Sequence, residues 1–200
     1  EFYDLYLDWC AERAAANGQS LYWSMQMPLR LASACLPMAR RSVLDPEFRN
    51  RRRQDEPSTS IEVEPSSELV AAARNLRDGV DSKFDELVKA LRGLRRDGKQ
   101  ALLFTFSRPT LSYLEQRCSE EFRVALLHGG VGRVERAVVM EDFRAGKYDF
   151  VFANRVASEG LDFEFCSVVI NYDLPWNPME IEQRIGRIDR IGQAAERMLI

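Results

Sequence analysis

The 200 residues hold a single histidine, His128, and only four cysteines. Cys10, Cys35, Cys118 and Cys166 lie far apart, with no CxxC pair among them. This spacing excludes a zinc site of the paired-cysteine type and a disulfide framework; no metal site is expected, and reduced thiols in a cytoplasm fit best. No apolar run reaches the roughly eighteen residues that a membrane span needs, so no membrane partner is expected. A signal-peptide pattern is also missing, and the chain opens on Glu1, which reads as an excised piece of a cytosolic protein. Nowhere is there a GxxxxGK[ST] phosphate loop. Nor does any strand-like run end in an acidic pair able to hold magnesium. Lysine is scarce too: Lys83, Lys89, Lys99 and Lys147 are the only four, so 24 of the 28 basic residues are arginine. With 31 acidic residues the net charge is −3, which excludes nucleic-acid binding by a globally basic surface but leaves room for local patches. The arginine bias admits two readings, genomic base composition or a preference for bidentate phosphate and carboxylate recognition.

What is present is 46% hydrophobic and 30% charged residues, the balance of a globular chain with a core. Residues 1–53 read as a helical segment. Phe2, Leu5, Tyr6 and Trp9 recur at helical spacing, Leu21 to Leu44 is rich in Leu, Met and Ala, and Asn17-Gly18 separates two helices. The run Arg49 to Arg53 is either a solvated segment or a DNA-backbone contact. Residues 54–68, rich in Ser, Pro and acids, read as an exposed, flexible linker.

From residue 69 to 200 the pattern predicts an α/β domain. A helix is expected over 82–96, with Phe84, Leu87, Val88, Leu91 and Leu94 on one face. Strands follow at 101–106, 124–127, 148–152 and 168–171, and the chain ends as another strand begins at 198–200. Helices are expected at 109–118, 132–145 and 177–191. Strand and helix alternate with crossovers of about ten residues or more, which implies a parallel sheet covered on both faces. Ligands of such sheets bind at the carboxyl ends of the strands, so the loops at 105–108, 128–133, 153–163 and 172–177 become site candidates.

The densest signal is Asn177-Pro-Met-Glu-Ile-Glu-Gln-Arg-Ile-Gly-Arg-Ile-Asp-Arg-Ile-Gly-Gln193. Asn177 suits an N-cap, Pro178 the first helical position, and Glu180 completes a capping-box spacing. At about 100° per residue, Gln183, Arg187 and Arg190 fall near 0°, 40° and −20°, while Ile181, Ile185 and Ile188 cluster on the opposite side. Two guanidiniums side by side repel by a few tenths of a kcal/mol, and Gly186 costs roughly 1 kcal/mol inside a helix. Either this face meets an anion, or it is a surface helix whose arginines pair with Asp189 and Glu182. Two forks aimed at a terminal phosphate would stabilise the charge developed in phosphoryl transfer.

Gln183-Arg-Ile-Gly-Arg-Ile-Asp-Arg190 resembles motif VI of superfamily 2 helicases. The continuation Ile191-Gly192-Gln193 resembles the Swi/Snf-type branch of ATP-dependent DNA translocases. Asp173-Leu-Pro-Trp-Asn-Pro178 followed by Glu182-Gln-Arg-Ile-Gly-Arg187 looks most like bacterial members, including the RNA-polymerase-associated type. Leu102-Leu-Phe-Thr-Phe-Ser107 resembles motif IV, Leu127-His-Gly-Gly130 the strand and loop that follow, and Ala157-Ser-Glu-Gly-Leu-Asp162 motif V. The resemblance covers roughly residues 80–200. It implies the RecA-like (P-loop NTPase-like) C-terminal lobe of a helicase, preceded by a helical segment leading to an upstream lobe.

By that resemblance, Arg187 and Arg190 are the arginine fingers and Gln183 orients the phosphate or attacking water. Gly160, Asp162 and Glu159 lie on the nucleotide side. Thr105, Ser107, Asn154, Arg155 and Ser158 lie on the nucleic-acid side. Relatives often carry a hydroxyl residue and then an acid where this chain has Asn154-Arg155, which puts the phosphate contact at 154 in question and adds a cation at 155. Trp176 either stacks on a base or packs at a helix start, and His128 is either a turn residue or a general base. The resemblance further implies ATP and Mg2+, bound mainly by the N-terminal RecA-like lobe, with double-stranded DNA as substrate and RNA polymerase as a partner. The isolated chain is then expected to hydrolyse no ATP above background. Alternatives are an RNA-directed lobe of the same superfamily, or a scaffold whose residues 1–60 dock a partner such as RNA polymerase or a defence-system subunit.

Overall fold

The structure is a computed structural model that describes residues 1–53, 62–76, 81–154, 163–175, 177–186 and 199, with the backbone alone described at 21–27 and 50–53. The chain divides into two compact units, Glu1–Asp81 and Ser82–Ile200.

The first unit is helical. Helices α1 (Phe2–Ala16), α2 (Leu21–Ala34), α3 (Leu36–Leu44), α4 (Pro46–Arg53) and α5 (Ser67–Asn75) follow one another. The α1–α2 break falls at Asn17-Gly18, where Gly18 takes φ +61°, a left-handed conformation that costs glycine nothing. Phe2, Tyr6, Trp9 and Cys10 of α1 pack with Ala39 and Val43 of α3 and with Leu69, Ala72 and Ala73 of α5.

Two features differ from the sequence-based expectation. Arg49 is neither solvated nor presented to a ligand. It is 8% exposed, donates to the Val43 carbonyl at 2.7 Å and the Ser42 carbonyl at 3.3 Å, and pairs with Glu64 at 2.8 Å. Residues 62–66 are held in place. The Val63 carbonyl accepts a hydrogen bond from Trp9 Nε1 at 2.9 Å, and the Ser66 hydroxyl caps α5 by accepting from the Leu69 N–H at 3.1 Å. Burial of Trp9 and Arg49 under this stretch satisfies polar atoms that would otherwise be costly to bury. Of the expected linker, residues 54–61 lie outside the described residues.

The second unit begins with α6 (Ser82–Arg96), whose Phe84, Leu87 and Leu91 are buried as the periodicity predicts. Asp97-Gly98 ends it, with Gly98 at φ +66°. Then come β1 (Ala101–Phe104), α7 (Arg108–Cys118), β2 (Val124–Leu127), α8 (Arg133–Arg144), β3 (Phe150–Ala153), β4 (Val169–Asn171) and α9 (Pro178–Ile185). The four strands form one sheet in the order β2-β3-β1-β4, all described pairings parallel. Leu199 adds a parallel bridge to Val168 beside β4, where another strand was expected.

Every residue of β1 and β3 is buried, which explains why both read as continuous apolar runs rather than alternating ones. Alternate side chains go to opposite faces. Ala101, Leu103, Phe150 and Phe152 meet Phe84, Leu87 and Leu91 of α6 and Leu111 and Leu114 of α7. Leu102, Phe104, Val151 and Ala153 meet Phe143 of α8, Phe163 and Cys166. Each fully buried Phe or Leu contributes about 1.5–3 kcal/mol by leaving water. This is the doubly covered parallel sheet that the strand–helix alternation predicts.

Candidate functional site

A parallel sheet delivers all its strand ends to one edge. Here Thr105 follows β1, His128 follows β2, Asn154 follows β3 and Tyr172–Asp173 follow β4. The ladder runs on past the strands into this edge. Thr105 N–H donates to the Ala153 carbonyl at 3.1 Å, Asn154 N–H to Leu127 at 3.1 Å, and Tyr172 N–H to Phe104 at 2.9 Å. The loops therefore leave from fixed points.

Of the helices that start at this edge, two have a side-chain cap. Ser107 caps α7, its hydroxyl accepting from the Thr110 N–H at 3.3 Å. Asn177 caps α9, its side-chain oxygen accepting from the Met179 N–H at 3.0 Å, with Pro178 in the first turn. Free amide donors of a capped first turn favour anions nearby.

Between these helices lies a buried polar joint. The Asp173 carboxylate accepts hydrogen bonds from the Thr105 hydroxyl and from the Phe106 N–H, the latter at 3.0 Å. Arg184 of α9 donates to the Asn171 side-chain oxygen at 2.8 Å and to the Asp173 backbone carbonyl at 3.0 Å. Its guanidinium also lies 3.9 Å from the Asp173 carboxylate and over the Phe104 ring. Asp173 is 8% exposed, Arg184 6%, and Thr105 fully buried.

His128 sits half-buried in the loop after β2. Its Nδ1 accepts the Gly130 N–H at 3.0 Å, so the ring proton belongs on Nε2. Burial holds the imidazole below its ordinary pKa, and the neighbouring Arg108 guanidinium adds to this. The histidine is a turn residue. Arg108, exposed at the start of α7, also approaches Gly130, where a Cβ would stand 3.1 Å from the His128 ring and 3.3 Å from Arg108.

The sequence-predicted site residues divide as follows. Gln183 is exposed on α9. Thr105, Ser107 and Asn154 come together at the adjacent ends of β1 and β3. Thr105 is turned inward, its hydroxyl committed to Asp173, so it shapes the edge from within instead of presenting a group to nucleic acid. Ser107 is likewise buried as a cap, and Asn154 is half-buried. Arg187, Arg190, Glu159, Gly160, Asp162, Arg155, Ser158 and Trp176 lie outside the described residues. Sequence reasoning missed Arg184, although it sits inside the densest motif. The available signal was an acid, Asp173, placed just past the end of an apolar strand. Among the described residues, no group of three or more His, Cys, Asp or Glu side chains is placed to hold a metal ion.

Residues 82–192, more than half of the chain, match the family described as "Helicase conserved C-terminal domain". The chain belongs to the helicase C-terminal domain family. The parallel sheet with its layered helices is thus the RecA-like fold of that family. Among curated relatives, the "Uncharacterized ATP-dependent helicase YqhH" of Bacillus subtilis (strain 168) is 31% identical over 157 residues, covering 78% of this chain and 26% of that protein. The "ATP-dependent RNA helicase dbp5" of Sclerotinia sclerotiorum is 37% identical over 120 residues, covering 56% of this chain and 25% of that protein. The helicase C-terminal chain described here thus spans about a quarter of the length of these relatives. Among solved structures, the C-terminal part of the Fun30 ATPase domain shares the fold with a TM-score of 0.67 at 19% identity, covering 99% of this chain and 78% of that one. No described helix is long and apolar enough to cross a membrane.

Proposed function

We propose that this helicase C-terminal domain is the second motor lobe of a bacterial, cytoplasmic Swi/Snf-type DNA translocase that hydrolyses ATP. The observation that carries the reading is the placement of α9. It begins at the carboxyl edge of the sheet, directly after Asp173, and turns Gln183 outward while Arg184 anchors it inward. The motif residues Arg187 and Arg190 come next in the sequence after that helix, and we assign them to a nucleotide held by the partner lobe on the motif resemblance. Two guanidiniums there would stabilise the charge that develops on the transferred phosphoryl group.

ATP is the substrate in this reading, and Mg2+ accompanies it. The Asp173 carboxylate is bonded to Thr105 and Phe106 within the fold, and no strand-like run of the sequence ends in an acidic pair able to hold magnesium. The carboxylate ligand for magnesium then comes mainly from the N-terminal RecA-like lobe. On this chain we assign Glu159, Gly160 and Asp162 to the nucleotide side on the motif resemblance alone. Asn154, with Arg155 and Ser158 by motif resemblance, is assigned to the nucleic-acid side, with Thr105 and the buried cap Ser107 supporting it from beneath. Arg108 adds an exposed cation to that side.

The continuation Ile191-Gly192-Gln193 supports the Swi/Snf reading by motif resemblance. The Fun30 ATPase likeness extends over 99% of the chain, whereas the dbp5 match covers 56%. A specific observation favours a second reading, an RNA-directed lobe: the dbp5 relative is named an RNA helicase and shares 37% identity over its match. RNA polymerase is the partner that the bacterial motif resemblance implies. The discriminating experiment compares ATP turnover of the two-lobed parent with double-stranded DNA and with duplex RNA. DNA is expected to stimulate turnover by about tenfold or more over RNA, a difference of about 1.4 kcal/mol in barrier. Stimulation by RNA alone overturns the DNA assignment.

A further inference from the structure

Burying an ion pair is weak evidence for stability, because desolvation offsets most of the attraction. The joint of Thr105, Asp173 and Arg184 is buried all the same, and its geometry joins three separate places. Thr105 and Phe106 end β1 and lead straight into Ser107 and Arg108. Asp173 ends β4. Arg184 lies in α9, between exposed Gln183 and the expected fingers at 187 and 190. Asp173 holds the first segment by two hydrogen bonds through its carboxylate. Through its backbone carbonyl, and with Asn171, it holds the third by two more.

The Arg184 guanidinium is planar and forked, so donors on Asn171 and Asp173 fix its orientation as well as its position. The ring of Phe104, from β1 itself, lies 5.3 Å beneath it. The β1-end loop and α9 are thus both tied to one residue, Asp173. A close-packed joint transmits a shift because it has no slack to absorb it.

We infer that Thr105, Asp173 and Arg184 form a coupling joint that transmits nucleic-acid engagement at the β1 end to α9. They act as positioning residues for ATP hydrolysis. The inference deepens the motor-lobe reading and rests on it. None of the three touches ATP. Each acts by setting where α9 stands when nucleic acid is bound.

The test uses the two-lobed parent and measures ATP turnover with and without double-stranded DNA and duplex RNA. Thr105→Val removes the hydroxyl while keeping the side-chain outline. Thr105→Ser keeps the hydroxyl. Thr105→Val is expected to lower the nucleic-acid-stimulated kcat about tenfold, with KM for ATP within about threefold of wild type, a loss typical of one coupling interaction. Thr105→Ser is expected to stay within about threefold of wild type by the same measure. Arg184→Lys, which keeps the charge but loses the fork, is expected to behave as Thr105→Val does and serves if that variant fails to fold.

A wild-type parent stimulated by neither nucleic acid overturns the motor reading, and the joint with it. A stimulated wild type matched by Thr105→Val, or a Thr105→Ser as impaired as Thr105→Val, overturns the joint alone. A rise in KM with kcat unchanged also overturns it, since that is the mark of lost uniform binding.

Discussion

His128 is the chain's one histidine, and its contacts are those of a turn residue rather than of a catalytic base. Its Nδ1 is already occupied by the Gly130 N–H, and burial together with Arg108 favours the neutral ring. Because the folded pKa lies below the ordinary value of 6.5, the unfolded chain binds the proton more readily. Stability from this group is full above pH 6.5 and falls as pH drops from there through the folded value. An NMR titration of the ring is expected to place its pKa below 6.5, and His128→Asn is expected to remove that part of the pH dependence of stability. A pKa at or above 6.5 contradicts the assignment. The thiols are further from chemistry still. All four cysteines are buried, and burial pushes the Cys118 thiol up to about 12.

At the residue scale, local roles were legible and long-range ones were not. Asn177 and Ser66 show the difference. Asn177 announces a cap by the proline beside it. Ser66 caps α5 in a polar stretch whose Leu69, Ala72 and Ala73 spacing is too short to stand out. Arg49 and Glu64 are fifteen residues apart, and Thr105 and Asp173 sixty-eight. No period in the sequence reports such pairs.

Elements read more easily than residues because burial on both faces leaves a plain mark. Ala101-Leu-Leu-Phe104 and Phe150-Val-Phe-Ala153 are apolar at every position, and each is a strand. The third strand starts at Phe150 rather than Tyr148, and Asp149 just before it binds Arg123 through its side chain. Its carboxylate accepts from the Arg123 N–H at 2.9 Å and from the Arg123 guanidinium, tying the start of β3 to the start of β2. Burial pushes this carboxyl up, but the Arg123 hydrogen bonds outweigh it and hold the pKa below the ordinary 3.8.

The stability from Asp149 is therefore present above about pH 4, near the ordinary carboxylate value, and is lost as pH falls through the folded value. Asp149→Asn is expected to cost about 1 kcal/mol at pH 7, kept small because the arginine is largely exposed, and less at pH 3. Urea melts at the two pH values check this. An equal cost at both removes the carboxylate from the account.

At the scale of the whole molecule, the chain is two units with different claims on function. The family match begins at Ser82, where the second unit begins. That unit carries the strand-end edge, the two capped helices and the buried joint. The order and type of the elements were legible because alternation and apolar runs are local properties. The joint behind the edge was not, because it forms only once β1, β4 and α9 are brought together.

The central claim is that Arg187 and Arg190 act on the phosphate of a nucleotide held by the neighbouring lobe. Its most direct test is ATP turnover and ATP affinity of the two-lobed parent carrying Arg187→Ala or Arg190→Ala. The account predicts that nucleic-acid-stimulated kcat falls by about 10³-fold or more, while the Kd for ATP stays within about fivefold of wild type. Normal turnover in both variants would contradict it.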